Sequence, residues 1–245
     1  MPARSLISSM TTPLRRLAAR VGGACLVCRS GCVGGFCDDC LARFALPVHR
    51  CDGCALGVPA GQARCGACLL APPLQRRSLA ALHYAFPWDG LVQRFKYREA
   101  PELALPLVGR LQAAVQAAGP LGADLLVPVP VSAAKLRERG YNQAWELARR
   151  LGPRLGVPAE ARALQRLLDG PSQQGGSRAE RRAQVRDAFA VPRAAAPRLA
   201  GRHVALVDDV MTTGATAEAA TAALLRGGAA SVQVWVLART PAALH

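Results

Sequence analysis

Apolar and polar positions along the chain follow two different periods. LAALHYAF (79–86), DLLVPVP (124–130), HVALVDD (203–209) and SVQVWVLA (231–238) are short apolar or β-branched runs bounded by turn residues, and they predict strands. Between them, PELALPLVGRLQAAVQAAG (101–119), YNQAWELARRLGPRLG (141–156) and TAEAATAALLRGG (216–228) carry the helical period and end at Gly or Pro. Pro106 weakens the first turn of the first helix, and Pro153 splits the second into two pieces. Strands alternating with helices predict an α/β fold with a mainly parallel sheet flanked by helices. Before residue 70 no long period of either kind exists, and the Pro pair in LLAPPLQRR, just after Cys68, marks a linker. The expected organisation is a flexible basic leader over 1–22, a small module over 23–70 and the α/β domain over 78–241.

The small module holds all nine Cys of the 245-residue chain. Eight form four C-x-x-C pairs: Cys25/Cys28, Cys37/Cys40, Cys51/Cys54 and Cys65/Cys68. A C-x-x-C turn aims two thiolates at one ion, and two such turns complete a tetrahedron around zinc, so four pairs predict two structural zinc ions. A segment this poor in large apolar side chains takes its folding energy from the metal. A redox C-x-x-C comes as a single pair at a helix start, and iron–sulfur ligands nest more closely than these. Sequential pairing gives a double zinc ribbon and interleaved pairing a cross-braced module; the sequential arrangement is the expectation. Cys32 reads as a spare small residue, and His49 is a substitute ligand for which eight Cys leave no vacancy. The apolar stretch of MPARSLISSMTTPLRRLAARVGG is too short and broken for a secretory signal, so the thiols are expected in a reducing cytoplasm. No run of 18 apolar residues occurs, so no helical membrane span is expected.

VALVDDVMTTGAT (204–216) is the most specific string. An apolar strand ends in Asp208 and Asp209, a loop rich in Thr and Gly follows, and a helix begins near Thr216. Paired carboxylates at a strand end accept hydrogen bonds from vicinal ribose hydroxyls. Backbone amides at a helix N-terminus receive a phosphate, and Gly214 allows it to approach closely. A P-loop is excluded, since no G-x-x-x-x-G-K-[ST] occurs anywhere.

This string resembles the phosphoribosyl pyrophosphate (PRPP) loop of type I phosphoribosyltransferases. With the Cys-rich module, VQRFKYR (92–98), VPVPVSAAKLRERGYNQA (127–144) and SQQGGSRAERRAQVRDAF (172–189), the chain is identified as a member of the ComF/GntX family. The resemblance implies the type I phosphoribosyltransferase fold, with PRPP held by Asp208, Asp209, Met211, Thr212, Thr213, Gly214, Ala215 and Thr216. It places Lys96, Arg139, Gly140, Asn142 and Gln143 on the pyrophosphate and acceptor side, magnesium with PRPP, and a hood over 166–189. Gln184 stands where the family shows Asn.

The formal charge is +15, and 29 of the 31 basic residues are Arg. Residues 132–200 hold 14 basic against 6 acidic side chains, while 201–245 are balanced. Two function classes follow. As an enzyme, the chain displaces pyrophosphate from PRPP; no general base is evident, since His83 and His203 fall in strands. As a binding protein, it reuses the fold for single-stranded DNA or for a DNA-uptake helicase or other protein partner, since the resemblance associates the family with natural competence and gluconate use. With aromatics at only 4%, a base-stacking platform is poorly supplied.

Overall fold

The computed structural model of the chain describes residues 23–97, 100–167 and 188–242. The leader expected over 1–22, Gln184 and most of the expected hood lie outside these residues. The chain divides into two compact units, Met1–Leu46 and Pro47–His245.

In the first unit, β1 (Gly23–Ala24) pairs antiparallel with β2 (Gly31–Cys32), and α1 (Asp38–Phe44) starts directly after Cys37. Asp38 and Asp39 in its first turn and Arg43 in its last complement the helix dipole. The buried side chains here are Cys25, Phe36 and Cys40, so sulfur rather than hydrocarbon forms the centre.

The second unit begins with a matching module, in which α2 (Gly66–Leu70) starts directly after Cys65. Next come β3 (Arg77–His83), α3 (Trp88–Tyr97), a 3₁₀ turn (Pro101–Leu103) and α4 (Ala104–Ala117). The chain continues through β4 (Leu125–Pro128), α5 (Ala133–Arg139) and α6 (Gln143–Leu155). β5 (Gln165–Arg166) and β6 (Phe189–Ala190) pair antiparallel on either side of the segment not described. α7 (Ala196–Leu199), β7 (His203–Met211), α8 (Ala215–Arg226) and β8 (Ser231–Arg239) complete the chain.

The main sheet has the order β3-β8-β7-β4, and every pairing in it is parallel. Both faces are covered, which is why its strands read as continuous apolar runs. Val204, Leu206, Val232, Val234 and Val236 share one core with Ala219, Ala220, Ala223 and Leu224 of α8. The alternate positions Ala205, Val207, Trp235 and Leu237 are equally buried. By strand alternation they face the other way, and α4 and α6 pack on the sheet through Leu107, Leu111, Leu147 and Leu151. Among the described residues no helix is long and apolar enough to cross a membrane.

The helical pattern missed α3 and α5. α3 is only ten residues long, yet it buries Trp88, Leu91, Val92 and Phe95 at helical spacing. Pro153 does not split α6: the helix is continuous, the lost amide bond falls in its last turn, and Gly156 closes it at φ 69°. Pro106 sits in the first turn of α4, where its missing N–H would have had no helical partner.

The second Cys module is fastened to β3. Gln75 Nε2 and Ser78 Oγ donate to the Gly53 carbonyl at 2.9 and 2.8 Å, and Arg77 pairs with Asp52 at 3.1 Å. Ala55 is fully buried in the core that α8 shares with the sheet. A Cβ at Gly53 would lie 2.9 Å from Cys68 Sγ and 3.1 Å from Pro73 Cγ. Gly53→Ala is therefore expected to cost about 1–3 kcal/mol in urea denaturation, as overpacking does elsewhere; an unchanged midpoint would show that the approach is not tight.

Candidate functional site

β7 carries Asp208 and Asp209 towards its carboxyl end, beside the end of β4, where open parallel sheets bind ligands. Two adjacent carboxylates on a mostly buried strand need compensation. Lys96 Nζ on α3 lies 3.1 Å from Asp209 Oδ1, with both side chains largely buried. The Asp209 amide donates to Asp208 Oδ1 at 2.8 Å, and the Val210 amide to Asp209 Oδ1 at 2.6 Å. Burial and the Asp209 charge push the Asp208 carboxyl up to about 7, against the Asp209 amide and the Lys96 charge.

After Met211, itself buried, Thr212 and Thr213 are exposed and Gly214 takes φ 90° as the N-cap of α8. The left-handed conformation there favours glycine. Gly214 has no side chain to cap the helix. Thr213 Oγ1 accepts from the Ala215 amide at 3.3 Å, while the amides of Thr216 and Ala217 have no carbonyl four residues back within the helix. The exposed helix start carries the positive end of the dipole and is receptive to an anion.

The opposite wall comes from the segment after β4. Ser132 caps α5 by accepting from the Lys135 amide at 3.2 Å, and Gly140 ends that helix at φ 74°. Asn142 caps α6 through the Trp145 amide at 3.2 Å, and its Nδ2 donates to the Val129 carbonyl at 3.0 Å, fixing the loop after β4. Gln143 is 1% exposed; it donates to the Lys96 carbonyl and accepts from Arg139, each at 3.2 Å. Arg139 also donates to the Tyr97 hydroxyl at 3.0 Å and lies 4.5 Å from that ring's centre.

One cleft of about 330 Å³ collects these groups. Of the residues expected from the sequence, Lys96, Arg139, Asn142, Gln143, Asp208, Asp209, Thr212 and Thr216 line it together. Met211, Thr213, Gly214, Ala215 and Gly140 shape the adjoining backbone instead. Tyr84, Tyr97 and Lys135 also line the cleft and were not anticipated, and Arg166, the first residue of the expected hood, lines it too. Lys135 had a signal: only two Lys occur in the chain, and both face this cleft. Tyr97 had one too, as the residue after Lys96 in VQRFKYR. His203 opens β7 at its other end, bonded to Ser231 at 2.8 Å, and neither it nor His83 lines the cleft.

The thiols gather in sequential pairs. Cys25, Cys28, Cys37 and Cys40 form one group, and Cys51, Cys54, Cys65 and Cys68 the other, with sulfurs within 4.8 Å of one another. Cys28–Cys37 and Cys54–Cys65 approach to 3.5 and 3.6 Å. A tetrahedron of thiolates at about 2.3 Å from a metal has edges of about 3.8 Å, so both groups fit one ion each. The Cys37 amide donates to Cys25 Sγ at 3.5 Å and the Cys65 amide to Cys51 Sγ at 3.3 Å. Burial raises these two thiols, but such amides outweigh it and bring Cys25 to about 6 and Cys51 to about 7. Burial pushes Cys40 and Cys68 far up. A cation at the centre would resolve that conflict by holding all four as thiolates. Cys32 and His49 belong to neither group.

The family model described as phosphoribosyl transferase domain matches residues 137–244. The chain is 34% identical over 229 residues to the DNA utilization protein YhgH of Salmonella typhi, spanning 90% of this chain and 98% of that one. It is 32% identical over 227 residues to the DNA utilization protein YhgH of Escherichia coli K12, with the same coverage. Competence protein F of Haemophilus influenzae is 34% identical over 161 residues, or 64% of this chain and 70% of that one.

The raised Asp208 sets a pH dependence. A carboxyl moved from 3.8 to about 7 binds its proton more tightly in the folded chain, so its stabilising share is complete below 3.8 and is lost as pH rises through about 7. Urea titrations of wild type and Asp208→Asn are expected to diverge across that window, wild type falling relative to the variant as pH rises. Parallel curves would contradict the shift.

Proposed function

The chain belongs to the ComF/GntX family, and from that premise we propose that it binds PRPP in the β7–α8 cleft and acts in the uptake and use of DNA. The observation carrying this reading is the pair Asp208 and Asp209 facing the same cleft as the anion-receptive start of α8. The carboxylates accept the two ribose hydroxyls, and the backbone from Thr212 to Thr216 receives the 5′-phosphate. Lys96, which pairs with Asp209, would be available to the sugar phosphate, and Lys135 and Arg139, which line the same cleft, would supply positive charge on the pyrophosphate side. Asn142 and Gln143 hold the loop after β4 and the end of α3 in place. Transfer would break the bond from C1 to pyrophosphate, which leaves as the anion, and form one from C1 to a nucleophilic acceptor, through an oxocarbenium-like state, with these residues contributing position and charge. The carboxylate oxygens of Asp208 and Asp209 suit a hard cation, and magnesium bound with PRPP would neutralise the departing pyrophosphate.

The Cys₄ groups are proposed to hold one structural zinc each, since four thiolates in a tetrahedron are the donor set that ion takes. The DNA role rests on the relatives named for DNA utilization and competence.

A second reading, single-stranded DNA held directly in the cleft, is favoured by one observation. Aromatics are scarce, yet two of the three Tyr, Tyr84 and Tyr97, line the cleft together with Lys135, Arg139 and Arg166. Stacking rings beside cations are the elements of a single-strand platform.

Calorimetry of PRPP/Mg²⁺ and of single-stranded DNA on wild type and Asp208→Ala/Asp209→Ala separates the two. Wild type is expected to bind PRPP and the variant to lose about a hundredfold, as two charge-assisted contacts of about 1.5 kcal/mol imply. Absence of PRPP binding by wild type would overturn the first reading. DNA binding with a steep salt dependence that the Asp changes leave intact would place DNA on the basic residues instead. Elemental analysis is expected to find two zinc per chain; one, or an iron chromophore, would contradict the two-site assignment.

A further inference from the structure

Arg239 is the last residue of β8, is 5% exposed, and belongs to no function considered so far. Its side chain reaches in two directions. Nε donates to the Cys54 carbonyl at 2.8 Å, inside the second Cys₄ group. Nη1 donates to the Met211 carbonyl at 3.1 Å, to the Thr212 carbonyl and to the Thr240 carbonyl at 2.9 Å. Met211 and Thr212 are where β7 ends and the loop to α8 begins. One buried guanidinium thus joins the backbone of a metal-ligating turn to the backbone that opens the phosphate loop.

The backbone bonds of this cation go to neutral carbonyls, which meet its charge incompletely, and the thiols of Cys54, Cys65 and Cys68 lie close enough to act on that charge. Four thiolates around a divalent ion carry a net charge of about −2, which draws a guanidinium bonded to one of the four ligand residues. The fork geometry also matters: Arg presents donors in fixed directions, whereas a Lys ammonium is a compact point on a flexible stem and cannot span both sets of carbonyls in the same way.

We propose that Arg239 is a positioning residue that couples metal loading of the Cys51/Cys54/Cys65/Cys68 group to the order of the 212–216 loop. It acts through the carbonyls of Cys54, Met211 and Thr212 and touches no substrate. The proposal rests on the PRPP and metal readings above. It predicts that metal at one site and PRPP at the other stabilise each other, as linkage requires.

The test uses the full-length chain loaded with zinc, with Arg239→Lys and Arg239→Met. Hydrogen exchange is followed over 211–216, over 52–56 and over the strand segments 204–207 and 232–237. In both variants, exchange is expected to quicken over 211–216 and 52–56 while the strand segments keep wild-type protection. PRPP affinity is expected to fall about tenfold, a loss equivalent to about 1.4 kcal/mol. Stripping wild type with a chelator is expected to quicken 211–216 in the same way, and stripping Arg239→Met to add little more, because the connection is already cut. If stripping loosens 211–216 equally in wild type and Arg239→Met, or if either variant leaves that segment unchanged, the proposal is overturned. Should Arg239→Met fail to fold, Arg239→Lys decides by the same readouts. Wild type that shows the exchange coupling but binds no PRPP would refute the PRPP reading and leave the coupling standing.

Discussion

Two carboxylates on consecutive residues of a buried strand repel one another and resist losing water, and the architecture around β7 answers both costs. Asp208 and Asp209 accept from the next backbone amides, and Lys96 stands 3.1 Å from Asp209. Lys96 holds this place because α3 buries Trp88, Leu91, Val92 and Phe95, which orients the end of the helix towards β7. Gln143 then grips the Lys96 carbonyl, and Arg139 ties Gln143 to Tyr97. Four elements from three distant regions of the sequence meet through one chain of charge and hydrogen bonds, and that chain forms the wall of the cleft. Removing one partner of the ion pair would leave uncompensated buried charge, which is far more costly than the loss of a surface pair.

The Cys-rich segment contains two solutions to the same problem. Each group of four thiols replaces a hydrocarbon core, with a short helix starting directly after its third Cys. The first belongs to a compact unit of its own, whereas the second shares its unit with the sheet and sends Ala55 into the main core. The formal +15 looks less extreme in this light, because eight thiolates and two divalent ions would lower it to about +11. The remaining excess is concentrated in residues 132–200, which supply Lys135, Arg139 and Arg166 to the cleft.

Much of this was legible in the sequence. Continuous apolar runs announced a sheet buried on both faces, Cys spacing announced the paired groups, and VALVDDVMTTGAT announced a carboxylate pair before a helix start. Short amphipathic helices were not: α3 and α5 fall below the length at which a helical period stands out. Pro153 misled because a single lost bond in a last turn is cheap when the rest of α6 packs well. Arg239 gave no local signal, since three of its four carbonyl partners lie 185, 28 and 27 residues away. Tyr97 and Lys135 carried only weak signals, the rarity of Lys and the string VQRFKYR, and folding brought α3 and α5 to one cleft.

The central claim is that the carboxylate pair and the start of α8 form one sugar-phosphate site. A crystal structure of the chain with PRPP and Mg²⁺ tests it most directly. The expected result is the 5′-phosphate on the amides of the 212–216 loop, with the ribose hydroxyls in hydrogen-bond reach of Asp208 and Asp209. PRPP seated elsewhere, with the 212–216 loop and both carboxylates untouched, would contradict the account.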